Sequence, residues 1–404
     1  MIDFTGLLLP FLVVASLVSG VAVTDLQSLY IDTITVPDSM TKHGFTPIVF
    51  IRMMNDDLLK IEAEAKTRTD AQKLRTENEK GVIAVMLDMM NMTALVRAVQ
   101  ESSNLIEFTV NGEIVESGND YLLRLRLERY GHSVTRIDVT EPQDALDALA
   151  SAAAEKIMKI TDPQVVCAAV MQREAGAQTA SAGLHFPETN ACIAETMAGA
   201  QRDDRLWLLN LEGVVAFIAG DQEAAQRHFR EAVREDSDFS PALLNLGIVE
   251  AHNQRYARAI RYYQRVFDHR LPTDSPQTYA ATYTEWGDAL AHLGQQADAD
   301  TAFRMATEVD PRYAEAYQRW ANHTADRKEA KKLETLAKQV GERYGEVYTD
   351  NLVGKLRMAA EEAKDRGAPA SAGDQGTLGD VGLLAEPVTH GNIFERLWSR
   401  WRNL

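Results

Sequence analysis

Between Leu208 and Pro311 the chain repeats itself in phase. Gly213 and Gly247 are 34 residues apart, as are Ala225 and Ala259, and Phe229 and Tyr263. Gly287, Ala299 and Phe303 follow forty residues after the second set, and the six extra residues fall in the Pro-containing stretch "RLPTDSPQ". Ala321 lies 34 residues beyond Gly287. Such a period constrains the fold more than any local propensity does. Each unit reads as a helix pair that cannot bury its apolar side alone, and stacking on the next pair covers it. The stretch "WGDALAHLGQQADADTAFRMATEVDP", Trp286 to Pro311, shows the division of labour. Gly287, Ala289, Ala299, Ala302 and Ala306 are small enough to sit where two antiparallel helices cross. Trp286 and Phe303 are expected to fill the gaps between neighbouring pairs. Pro311 closes the second helix.

The pattern resembles the tetratricopeptide repeat family. The third unit matches best, with Trp286-Gly287, Ala299, Phe303, Ala306 and Pro311. The first keeps Gly213, Ala225, Phe229 and Ala232, but Glu212 stands where the family has Leu and Ser237 where it has Pro. The second keeps Leu246-Gly247, Ala259 and Tyr263, with Val266 in place of Ala. A fourth unit retains Tyr317 and Trp320 and reads as a polar capping pair. The resemblance implies a helical solenoid over 206–345 whose concave face is built from the first helix of each pair. On that implication the partner-binding groove comprises Trp207, Asn210, Val214 and Phe217; Leu244, Ile248 and His252; Thr284, Asp288 and His292; Gln318 and Asn322. Inter-repeat packing is the rival role for any one of them. The Lys and Arg set that such repeats use to clamp a C-terminal carboxylate is not apparent.

Upstream, residues 29–160 read as an α+β domain. "LYIDTITV" is a short strand, and Thr46-Pro47 caps a helix bearing Ile48, Ile51, Met54, Leu58 and Ile61 at helical spacing. "VIAVMLDM" reads as a buried strand and Thr93–Ser103 as a short helix. Ile106, Phe108 and Val110, then Leu123, Leu125 and Leu127, alternate with polar residues about the turn "ESGND". That is a hairpin with one buried face. "HSVTRIDVT" supplies a third strand, and Pro142 to Ile160 an Ala-rich helix. The alternating Arg124 and Arg126 read as a solvated sheet face. Residues 161–205 read as a degenerate helical pair carrying the only cysteines, Cys167 and Cys192. Both a disulfide between facing helices and two buried thiols fit, and no Cys-rich zinc site does.

The chain ends carry their own signals. Phe4 to Thr24 holds no charged residue. As a helix it would span roughly 30 Å, one bilayer core. Residues 1–28 are thus expected to form a transmembrane anchor. A cleaved signal peptide is the rival, although the usual Lys or Arg before the apolar run is missing. A large domain after such a segment is usually exported. The expectation is a single-pass bacterial inner-membrane protein with a periplasmic body. Residues 346–366 read as a terminal helix and 367–391 as a flexible linker. Residues 392–404 read as an amphipathic helix with Phe394, Leu397, Trp398 and Trp401 on one face, suited to a membrane surface, a partner's groove or the chain itself.

With a net charge of −17, nucleic acid is not the expected ligand. The sequence holds no nucleotide loop, nucleophile elbow or metalloprotease motif, so neither enzyme chemistry nor a cofactor or metal is expected. The resulting expectation is a membrane-tethered scaffold or adaptor binding a protein or peptide partner through the repeats. The alternative is an envelope sensor or regulatory subunit whose α+β domain binds a small ligand while the repeats relay to a partner. An exposed sheet edge would also leave room for oligomerisation.

Overall fold

The computed structural model describes residues 29–65, 107–130, 132–177, 185–268 and 276–344. Among these the chain divides into two compact units, 29–65 with 107–169 and 170–344.

The first unit has four strands, β1 (Leu29–Thr35), β2 (Phe108–Ser117), β3 (Asp120–Arg129) and β4 (His132–Pro142), paired in sequence order. β1 runs parallel to β2, and the other pairs are antiparallel. The expected alternation sets the faces. Phe108, Val110, Ile114, Leu123, Leu125, Leu127, Ile137 and Val139 are buried. Helices α1 (Asp38–Lys42) and α2 (Pro47–Ala65) follow β1, and α3 (Leu146–Thr161) follows β4. α2 and α3 pack on each other and on the sheet. Their buried stripes, Phe50, Met54 and Leu58 on one and Leu149, Ala153 and Ile157 on the other, belong to this core. Thr46 Oγ1 accepts the Val49 amide at the start of α2, the capping arrangement that Thr-Pro suggested. On the other face Arg124 lies 3.8 Å from Glu113 and Arg136 3.0 Å from Asp138, ion pairs in solvent. The strand and helix expected within 66–106 lie outside the described residues.

α4 (Pro163–Ala177) carries the boundary between the units, and α5 (Pro187–Met197) follows it. Cys167 on α4 and Cys192 on α5 are both disulfide-bonded. The buried Glu174 takes the amides of Glu188 and Thr189 onto its two carboxylate oxygens, both at 2.8 Å, and the Thr189 hydroxyl as well. A carboxylate from one helix thereby caps the N-terminus of the next, where orphan N–H groups and the helix dipole favour negative charge.

Four helix pairs complete the unit: α6 (Arg202–Ile218) with α7 (Gln222–Glu235), α8 (Ser240–His252) with α9 (Tyr256–Asp268), α10 (Pro276–His292) with α11 (Gln296–Val309), and α12 (Ala314–His323) with α13 (Arg327–Tyr344). Each first helix packs on its own second helix and on the neighbouring pair. The in-phase glycines lie against the in-phase rings. A Cβ on Gly213, Gly247 or Gly287 would stand 2.4, 2.2 or 2.9 Å from the ring of Phe229, Tyr263 or Phe303.

The loop inside each of the first three pairs turns through a left-handed residue: Gly220 (φ +91°), Gln254 (φ +60°) and Gly294 (φ +75°). Gln254 holds a conformation in which L side chains are strained, whereas glycine adopts it freely. Gln254→Gly is expected to raise stability by about 0.5–1 kcal/mol, read as a higher midpoint in urea. A lower midpoint would mean that the Gln side chain contributes a contact outweighing the strain.

Candidate functional site

The first helices α6, α8, α10 and α12 are neighbours along the array. The twelve groove residues expected on them separate into two sets. Val214, Leu244 and Thr284 expose none of their surface, and Asn210, Phe217 and Ile248 expose 2%, 4% and 6%. These six are packing residues in this structure, which corrects their assignment to an open groove. The reason is clearest on α8, where every residue from Ala242 to Glu250 is buried. A helix with apolar residues all round is enclosed all round. The polar members find partners inside. The Thr284 hydroxyl donates to the Ala280 carbonyl at 2.8 Å. Asn210 Oδ1 accepts from Asn245 Nδ2 at 2.8 Å, a bond that ties the first repeat to the second.

The second set is accessible. Trp207, His252 and Asp288 are half-buried, and His292, Gln318 and Asn322 are exposed. Trp207 lies edge-on to Phe239 with ring centroids 5.2 Å apart. Three of the others gather where the first helices end. His252 lies edge-on to Phe217 at 5.5 Å. His292 stacks on Tyr256 at 4.8 Å, its ring 7° from parallel. His292 also meets His323 at 5.6 Å, and His323 stacks on Phe303 at 5.9 Å. Rings from successive pairs thus line one rim of the array. Beyond them Gln318 donates to Asn322 at 3.1 Å on the exposed side of α12.

Asp288 is the electrostatic centre of this rim. Its carboxylate lies 2.8 Å from His323 Nε2, 3.6 Å from His292 Nε2 and 3.5 Å from Arg319. Burial works against its ionisation. The hydrogen bond with His323 and the charges of Arg319, His323 and His292 outweigh that cost and hold the carboxyl below its usual range. Sequence reading singled out Asp288 and His292 but not His323 or Arg319, because neither falls at the repeat spacing. In the first repeat, Glu212 stands 3.0 Å from His228 Nδ1 and raises that imidazole above its ordinary value despite partial burial. The departure from Leu at position 212 therefore brings a charge pair rather than a void.

Paired antiparallel helices, stacked through small residues against rings at a fixed period, define a helical-repeat solenoid. The sequence profile described as "Tetratricopeptide repeat" matches residues 238–312, so this part of the chain is similar to that family. No curated protein matches the chain. Among solved structures it is similar to one titled "MamA D159K mutant 1", at 15% identity and a TM-score of 0.29 over 46% of this chain and 98% of that one. It is likewise similar to one titled "MamA MSR-1 C2", at 14% identity and a TM-score of 0.30 over 47% and 98%. Phe4 to Thr24, and Phe394, Leu397, Trp398 and Trp401 of the expected C-terminal helix, lie outside the described residues. Among the described residues no helix is long and apolar enough to cross a membrane.

Proposed function

We propose that the chain is a protein-interaction scaffold whose partner lies along the rim where the first helices of the repeats end, next to the exposed side of α12. The observation that carries this reading is the division of the groove residues. Val214, Phe217, Leu244 and Ile248, with the polar Asn210 and Thr284, are spent on packing, while Trp207, His252, Asp288, His292, Gln318 and Asn322 keep surface. Aromatic and histidine rings give flat contact area with little rotamer entropy to lose, and the Gln318 and Asn322 amides can pair with an extended backbone. The net charge of −17 supports a partner segment that is basic rather than acidic.

Tethering belongs to the same proposal. The uncharged run from Phe4 to Thr24 supports an N-terminal anchor, and the oxidised state of Cys167 and Cys192 supports an exported body.

The test is a crosslinking capture from native membranes with the full chain, with Trp207→Ala, and with Gln318→Ala/Asn322→Ala. All three positions keep surface, so folding should survive, and circular dichroism checks it. A partner held by the full chain and lost from the α12 double variant supports the rim as the working surface. A partner held equally by all three overturns it.

A further inference from the structure

We propose that Asp288, His292 and His323 form a binding site for a divalent first-row transition cation of the Zn2+ type at the junction of the third and fourth helix pairs. Asp288 and His292 are four residues apart on α10 and so share one face of the helix. His323 arrives from the last turn of α12 in the next pair. Their candidate ligand atoms all lie within 4.8 Å of one another. A tetrahedral ion bonded at roughly 2.0–2.1 Å needs ligand atoms roughly 3.3 Å apart. Asp288 and His323, at 2.8 Å, open slightly to accept it. His292, 46% exposed, closes the remaining distance by sliding along the face of Tyr256, which keeps its ring plane. Imidazole with carboxylate is a donor set suited to Zn2+ and its neighbours rather than to Mg2+ or Ca2+.

The surroundings favour a prepared site. Each imidazole has a ring stacked against it, Tyr256 on His292 and Phe303 on His323, which fixes the planes that the two nitrogens need. The Asp288 carboxylate is the anionic ligand of the set. Arg319, at 3.5 Å from Asp288, competes for the same charge but has a second carboxylate, Glu315, at 3.7 Å to which it can retreat. On binding, the His323 Nε2 lone pair goes to the metal, and a proton on that nitrogen leaves to solvent or moves to Nδ1. Three protein ligands leave a fourth position on the solvent side of His292, open to water or to a side chain from outside the chain. The cation would staple α10 to α12, the short first helix of the most polar pair. In the sequence His252 and His292 each stand five residues after the repeat glycine, Gly247 and Gly287. The structure brings His292 to His323 instead.

The test uses the untagged full chain freed of metal and titrated with ZnCl2 against a chromophoric chelator, with Co2+ substitution as the spectroscopic check. The expected result is one ion per chain, together with the intense visible bands of a four-coordinate Co2+ site. His292→Ala and His323→Ala should each weaken binding at least about tenfold, while His252→Ala leaves it unchanged. Because Arg319 competes, Arg319→Gln should bind several-fold tighter. The exposed His292 is the decisive position, since its loss does not threaten folding. Saturable binding that is unchanged in both His292→Ala and His323→Ala, or no saturable binding by the folded full chain, overturns the proposal.

Discussion

Gly247→Ala is expected to destabilise the array by about 2–3 kcal/mol, a loss set by overpacking. The added Cβ would stand 2.2, 2.6 and 2.9 Å from three atoms of the Tyr263 ring. Tyr263 exposes none of its surface, so the ring cannot swing into solvent. The helix must either part from its partner or force the ring off its rotamer. Against this stands the helix-propensity gain of replacing glycine, about 1 kcal/mol, which the net figure includes. The three equivalent substitutions should rank by crowding. Gly247→Ala is worst, Gly213→Ala next at 2.4 Å, and Gly287→Ala mildest at 2.9 Å, where a small shift of the Phe303 ring relieves the contact. Urea denaturation of the three variants reads the order. Equal losses, or a gain at Gly247, would mean that the helix crossing is softer than its geometry implies.

Glu174→Gln is expected to cost about 2–3 kcal/mol locally, although it changes only an oxygen for an amide nitrogen. Both carboxylate oxygens accept backbone amides, and one also takes the Thr189 hydroxyl. The Gln side chain can offer one acceptor, and its NH2 group must face an N–H donor. A buried charge-assisted pair becomes a donor opposed to a donor at the start of α5. The readout is hydrogen exchange at the Glu188 and Thr189 amides, which should speed up by roughly 30–150-fold if opening tracks the lost free energy. Unchanged protection there would show that α5 is capped independently of Glu174.

How far the sequence spoke for the structure varied with the kind of contact. The helix pairs were legible because Gly213, Gly247 and Gly287 keep phase with Phe229, Tyr263 and Phe303, and period is a property of sequence. The β2–β3 hairpin was legible because Phe108, Val110, Leu123, Leu125 and Leu127 alternate with polar neighbours. The candidate surface was only half legible. Family geometry pointed to Val214, Leu244 and Ile248 as groove residues, but "SPALLNLGIVEAH" is apolar on all sides, so its pattern does not separate a face that packs from one that binds. Glu174 as a cap and His323 as a companion of Asp288 were not legible, since each meets its partner only through tertiary packing. Another regularity surfaces only in the structure. Asp236 and Asp310, each ending a second helix, take the amide two residues on at 3.0 Å, that of Asp238 and that of Arg312. That shared turn lets Ser237 stand where Pro311 stands in the third repeat, because the aspartate rather than the proline shapes the corner.

The glycine–ring contacts also bear on how the array comes together. Gly213 and Phe229, Gly247 and Tyr263, and Gly287 and Phe303 are each sixteen residues apart. Closing such a loop forfeits little chain entropy, so each pair can form before any distant segment arrives. The array therefore has low contact order and no obligatory starting point. A nucleus forms at whichever pair closes first, and order spreads outward one neighbour at a time. A crowded crossing such as Gly247–Tyr263, lying between two others, is where that spreading would stall when the fit is disturbed.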